Sequence, residues 1–251
     1  MKRLLAGLGF ALSVATMLPG AEADDLLHAA AQAEAGQESA RALEYLQQAD
    51  RLRPNDARIL QKIARQYSDL VVDQPDDETK RRYAQSALDY SQRAVDLDPQ
   101  NAVNVLSLAV CHGKLALYSE TRTKVRYSRL IREEAERALA LEPDYAWAHH
   151  VLGRWHCEVA SLGGTSKFFA GLLYGGLPDA SLAEGIRQLL QATQLEPAEL
   201  NHFLELGCAY AAAGQVALAR ANLEHGLAMP SRGKHDEPAK QRAREALARL
   251  R

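Results

Sequence analysis

The chain has 251 residues, 47% of them apolar and 25% charged, with 30 lysines and arginines against 32 aspartates and glutamates. That length and composition suit one large or two small globular domains and exclude a disordered chain, and the slight acidity gives no electrostatic basis for nucleic acid as a partner.

At the N-terminus, Lys2 and Arg3 precede an apolar run from Leu4 to Leu18, followed by small residues at Ala21 and Ala23. This pattern predicts a secretory signal peptide, residues 1–23, cut after Ala23, with a mature domain over 24–251 in the periplasm or outside the cell. The competing reading is an uncleaved membrane anchor, but a run of about 15 residues with Gly7 and Gly9 in it is short of the roughly 20 a bilayer span needs. No cysteine follows the cut, which argues against lipid attachment there. The cut removes Lys2, Arg3 and Glu22 and leaves 28 basic against 31 acidic residues, a net charge of -3. Cys111, Cys157 and Cys208 remain, so at most one internal disulfide is possible, and a Cys111–Cys157 pairing stays open.

Four short motifs recur: "LRPND" at 52–56, "LDPQN" at 97–101, "LEPDY" at 141–145 and "LEPAE" at 195–199. Pro54, Pro99, Pro143 and Pro197 are 45, 44 and 54 residues apart, and "LAMP" ends at Pro230, 33 residues further on. Each follows an amphipathic stretch and, lacking the N–H that a continuing helix needs, marks a helix end. Nine residues after the first four prolines stand Ile63, Leu108, Leu152 and Leu206, followed by Ala64, Ala109, Gly153 and Gly207. A large apolar residue followed by a small one is the pattern of two helices in close approach. In the last repeat Leu206, Gly207, Tyr210, Gly214, Ala219, Leu223, Gly226 and Pro230 follow the tetratricopeptide pattern. The expectation is an all-α solenoid of about five helical hairpins. Its first (A) helices fall near 25–35, 57–71, 101–117, 145–161 and 199–212, and a B helix follows each. Extra residues sit between A and B in the middle repeats, as in "VVDQPDDETK" and "YSETRTKVR", and a capping helix near 237–250 carries Ala239, Ala243, Leu247 and Leu250 on one stripe.

Along this frame the concave face is expected to carry Arg58, Gln61, Arg65 and Ser68 in the second repeat and Trp147, His150 and Arg154 in the fourth. Arginine beside an indole suits a peptide carboxylate or acidic side chain with an apolar neighbour. The third repeat offers Val103, Leu106 and Val110, a dry patch or a site covered by an insertion. At the start of the third B helix Arg122, Arg126 and Arg129 share one face, either for an anionic partner or lipid headgroup or as a solvated face neutralised by Glu133, Glu134 and Glu136.

The stretch "HHVLGRWHC" at 149–157 raises the question of a metal or Cys/His site. Its phase answers against one. His156 takes the slot of Tyr67 and Tyr210, and His149 that of Phe203, both packing positions, and seven residues between them is unlike the i, i+4 spacing of helical metal pairs. Cys157 lies mid-helix beside Glu158, away from the cation or helix N-terminus that lowers a thiol pKa. With no phosphate loop, G-x-S-x-G elbow or C-x-x-C pair, the chain reads as a non-catalytic protein- or peptide-binding scaffold without cofactor or metal. The alternative is a metal-dependent hydrolase built on His112, His149, His150 and His156. Between the fourth A helix and a B helix capped by Ser181 and Glu184, the segment "LGGTSKFFAGLLYGGLPD" at 162–179 is apolar for a loop. Phe168, Phe169, Leu172, Leu173 and Tyr174 would gather on a short helix, as a lid over the groove or as a contact for a partner or membrane surface.

The segments "YSETRTKVRYSRLIREEAERALALEPDYAWAHHVLGRW", "LPDASLAEGIRQLLQATQLEP" and "ELGCAYAAAGQVALARANLE", within residues 55 to 250, resemble the regulator of microtubule dynamics family. The resemblance implies a tetratricopeptide-like helical fold and a binding protein, with microtubule association in animal members. The signal peptide departs from those members and would keep the chain from a cytosolic filament.

Overall fold

The computed structural model describes residues 19–163 and 176–250, and among these every regular element is a helix. Five hairpins follow one another. They are α1 (Pro19–Ala35) with α2 (Ser39–Leu52), α3 (Ala57–Leu70) with α4 (Asp77–Leu97), α5 (Ala102–Leu117) with α6 (Thr121–Leu141), α7 (Ala146–Ala160) with α8 (Leu182–Leu195), and α9 (Leu200–Ala212) with α10 (Val216–Ala228). The capping helix α11 (Asp236–Arg249) closes the series.

The punctuation is local chemistry. The B helices end at Arg53, Asp98, Glu142, Glu196 and Met229, each the residue before one of the repeat prolines. Two residues past the proline, a side-chain acceptor starts the next A helix: Asp56 takes Arg58 N at 3.0 Å, Asn101 takes Val103 N at 3.0 Å, and Glu199 takes Asn201 N at 2.9 Å. Ser181 caps α8 through Glu184 N at 3.2 Å, but the Glu184 carboxylate turns to Arg187 and Gln188, so only half of the expected capping box forms.

The extra residues of the second and third repeats are not loops. They lengthen α4 and α6 to 21 residues each, against 14 in α2 and α8, because "DETKRR" and "TRTKVR" are helix-forming and Asp76 caps the first of them through Thr79 N at 2.8 Å. A 3-10 turn, Val71–Asp73, joins α3 to α4. Of the 162–179 segment, the residues from 164 to 175, with Phe168, Phe169, Leu172, Leu173 and Tyr174, lie outside the described residues, as do residues 1–18 of the expected signal peptide. The expected cut after Ala23 falls within α1, where Ala23 is buried. No described helix is long and apolar enough to cross a membrane.

Large apolar residues at the repeat position, Ile63, Leu108, Leu152 and Leu206, are all buried, and the small residues after them bring A and B backbones together. The core is a series of clusters along the stack: Leu46, Ile59 and Ile63, then Val105, Leu152 and Trp155, then Leu189 and Leu206, then Leu223 with Leu200 and Leu204. At the α7–α8 crossing two glycines meet, and a Cβ on Gly153 would stand 2.8 Å from Leu189 Cγ and 2.9 Å from the Gly185 carbonyl oxygen. Ala239 and Ala243 of α11 are buried against Leu200, Leu204 and Leu223, with Leu247 and Leu250 beside them, which is the expected cap.

Gly153→Ala should therefore cost about 1–3 kcal/mol through overpacking and lower the melting temperature by several degrees. Gly113→Ala, whose new methyl would meet nothing nearer than Ile131 Cδ1 at 3.9 Å, should leave it unchanged or raise it. Thermal melts of the two variants check this, and equal losses would contradict it.

Candidate binding groove

Adjacent A helices touch (α3 with α5, α5 with α7, α7 with α9), whereas among the described residues successive B helices do not. The hairpins therefore converge on the A side, so the A helices line the concave face and the B helices fan out behind them.

Of the expected groove residues, Arg58 is 84% exposed and lies 3.7 Å from Asp56, and Arg65 is 65% exposed and lies 3.9 Å from Asp69. Gln61 donates to Ser107 Oγ at 3.1 Å, tying α3 to α5 across the face. Arg154 is half exposed and pairs with Glu158 at 2.7 Å. Glu205 of α9 lies near that pair, and burial followed by Arg154 and Glu158 acts on its carboxyl, with a net rise above the usual carboxylate range. Val103 and Val110 are each 39% exposed on α5. Two expectations, at Ser68 and His150, need correcting. Ser68 is buried rather than open to the groove, and so is Leu106, in keeping with the dry patch expected of the third repeat. His150 is buried as well, its Nδ1 3.0 Å from Nδ1 of His202 in the next repeat.

That histidine pair was not legible beforehand. Trp147 packs on both rings, with centroids 5.1 Å from His150 and 4.8 Å from His202. Indole and imidazoles thus form one cluster where α7 meets α9, with Trp147 half-exposed at its edge. Burial holds His150 well below the ordinary imidazole value and drops His202 to about 4, even with a Glu196 oxygen 3.5 Å from His202 Nε2.

The other histidines are separately engaged. His112 Nδ1 bonds Glu134 at 2.9 Å and the ring stacks on Tyr127. His149 bridges Gln188 at 2.5 Å and the Pro143 carbonyl at 2.9 Å. His156 is buried against the Trp155 edge. The described residues contain no group of three or more His, Cys, Asp or Glu side chains arranged to hold a metal ion. All three cysteines are free. Cys111 meets Ser91 of α4 and Cys157 packs on α8, so they serve different hairpins. Burial pushes both thiols up to about 12, the opposite of an activated nucleophile. The basic face of α6 is also partly spent: Arg129 donates through Nε (3.1 Å) and Nη2 (2.5 Å) to the Gly176 carbonyl, fastening the end of the fourth-repeat insertion to α6.

A second feature without a local sequence signal is the segment 230–235 between α10 and α11. Asp236 shapes it by accepting from Arg232 N (2.8 Å), Gly233 N (2.7 Å) and Asn201 Nδ2 (2.9 Å). So held, the segment reaches the opposite end of the solenoid: Lys234 pairs with Asp73, His235 Nε2 lies 2.9 Å from Asp69, and Gln37 donates to the Arg232 carbonyl at 3.2 Å. The superhelix is thereby bridged from its last hairpin to its first two.

Residues 22–251 match the model of the family described as regulator of microtubule dynamics protein 1-3. The chain belongs to that family. It is similar to regulator of microtubule dynamics protein 3 of Xenopus laevis, 30% identical over 138 residues (55% of this chain, 30% of that one), and to human regulator of microtubule dynamics protein 2, 27% identical over 192 residues (75% and 46%). The chain thus spans less than half the length of either. A crystal structure of a thermophilic TPR protein from Thermus thermophilus superposes with a TM-score of 0.67 at 18% identity, covering 90% of this chain and 99% of that one, which establishes the shared solenoid fold.

The His150–His202 cluster makes a pH prediction. Rings that resist protonation when folded but take a proton near 6.5 when unfolded contribute stability above pH 6.5, and that contribution is lost as pH falls towards 4, by about 1.4 kcal/mol per pH unit for each ring. The melting temperature should fall between pH 7 and pH 5, and less steeply in His202→Asn, which keeps a polar atom near the Nδ1 position. Parallel slopes in the two proteins would contradict it.

Proposed function

We propose that the protein is a non-catalytic scaffold of the cell envelope that holds a segment of a protein partner against the concave A-helix face. The observation that carries the reading is the make-up of that face. Arg58, Arg65 and Arg154 stand exposed beside half-exposed Val103 and Val110, on rigid helices that converge and are bridged by 230–235. Preformed polar groups among apolar surface fit recognition of an extended or helical peptide. The envelope part rests on Lys2, Arg3, the apolar run 4–18 and the small residues at Ala21 and Ala23. The relatives' names refer to microtubule dynamics. That role is theirs, and export would separate this chain from a cytosolic filament.

Two measurements test this. Protein recovered from cells should begin at Asp24 and leave with the envelope fraction, whereas an intact Met1 on cytosolic protein would overturn the placement. A photo-crosslinking residue at Arg58 or Val103 should capture a partner in cells, while one at Gln85, exposed on the outer helix α4, should not. Capture from Gln85 alone would overturn the concave-face reading.

A further inference from the structure

The lysines and arginines of the A helices are Arg58, Lys62, Arg65, Lys114 and Arg154. Arg58 pairs with Asp56, Lys62 with Glu34 at 2.9 Å, Arg65 with Asp69 and Arg154 with Glu158. The bridging segment is balanced in the same way, Lys234 with Asp73 and His235 with Asp69. Of these cations, Lys114 alone has no acidic partner and no side-chain hydrogen bond among the described residues.

Its position is central. Val103, Ser107, Val110, Lys114 and Leu117 recur at four, three, four and three residues along α5, so they form one stripe. Ser107 fixes which way the stripe points, because it meets Gln61 across the A–A contact. One turn before Lys114 stands Val110 and one turn after it Leu117, the latter 68% exposed, the most open large apolar side chain on any A helix among the described residues. Charged groups from three elements act on the ammonium: Asp69 from α3, Arg154 from α7 and Lys234 from the bridge. Burial lowers its pKa below the ordinary lysine value, with Arg154 and Lys234 adding to that against Asp69.

We infer that Lys114 is the anion acceptor of the groove. It takes a side-chain carboxylate from an acidic peptide segment of the partner, whose adjacent aliphatic residue lies on Val110 or Leu117. The inference rests on the concave-face reading above and names the chemistry of the occupant. The charge balance selects it. Every other lysine and arginine of this face already lies within 4 Å of an acid of the chain, so one negative charge gives Lys114 the partner that it lacks. A doubly charged phosphate would overshoot, with Asp69 close by to repel it. A lone ammonium is also a point charge without the planar fork of arginine, and suits one oxygen of a carboxylate. The exposed valine and leucine a turn to either side give the neighbouring residue of the peptide an apolar surface to cover. The cost of Lys114 standing half-buried and unpaired in the empty groove is recovered when the carboxylate arrives, which gives the interaction its selectivity.

The test uses three pools of N-acetylated, C-amidated nonapeptides, randomised except for a central Leu-Glu, Leu-Gln or Leu-Lys, with binding read by fluorescence anisotropy on the protein as purified from cells. The Leu-Glu pool should bind at least about tenfold more tightly than the Leu-Gln pool, the lower end of what a hydrogen bond to a charged group contributes. In Lys114→Gln and Lys114→Met that preference should shrink to within about twofold, with binding of the Leu-Gln pool retained as evidence that the groove is intact. Equal binding of the Leu-Glu and Leu-Gln pools by the unsubstituted chain, or a preference that survives both substitutions, overturns the acceptor role and leaves the scaffold reading standing. Failure of every pool to bind counts against both.

Discussion

Close approach of A and B helices at one small residue per repeat is the constraint from which the rest of the molecule follows. Ala64, Ala109, Gly153 and Gly207 let the paired backbones come together, and at Gly153 and Gly207 a single added carbon would already collide with Leu189 or Leu223. Because the crossing point recurs in the same phase of each hairpin, each unit repeats nearly the same contact with the next and the stack curves steadily. The A helices, on the inside of that curve, touch one another, while among the described residues the B helices behind them do not. A concave surface is thus built by packing before any functional residue is placed on it.

What lies on that surface has been sorted by charge. Each arginine and Lys62 on the A helices lies beside an acid of the chain, the bridging segment sets Lys234 on Asp73 and His235 on Asp69, and Asp236 holds that segment in place through two backbone N–H groups and Asn201. Surface pairs of this kind add little stability singly. Those of the bridging segment have a geometric consequence, since Lys234–Asp73 and His235–Asp69 join the last hairpin to the second. Against that balanced background an unpaired lysine between exposed aliphatic side chains is chemically distinctive, and it ties the fold to a preference in the partner.

How far this could be read from the sequence depended on the range of the interaction. Helix stops at Pro54, Pro99, Pro143 and Pro197 and the large-then-small pairs are encoded within a few residues, so the five hairpins and the cap were legible. Gln61 meets Ser107 of the next A helix, and Arg58, Arg65 and Arg154 are exposed, as helical phase leads one to expect. Ser68 is buried instead, since whether a residue at the edge of the packing stripe is covered depends on how the hairpins cross. The His150–His202 contact, the Arg129 bond to Gly176 and the bridge from Lys234 and His235 to Asp73 and Asp69 join residues about 50 to 170 positions apart. No local period announces such pairs. The lengthening of α4 and α6 was missed for another reason: the polar stretches counted as insertions have helix propensity enough to extend the helix that follows them.

The central claim is that recognition takes place on the inner A-helix face and not on the outer helices. Backbone hydrogen exchange measured with and without the native partner tests it most directly. The account predicts that protection on binding concentrates in the A-helix segments 58–69, 103–117 and 147–158 and in the bridge 230–236, with α4 and α6 unchanged over their outer faces. Protection confined to α4 and α6, with the inner segments exchanging as in the free protein, would contradict it.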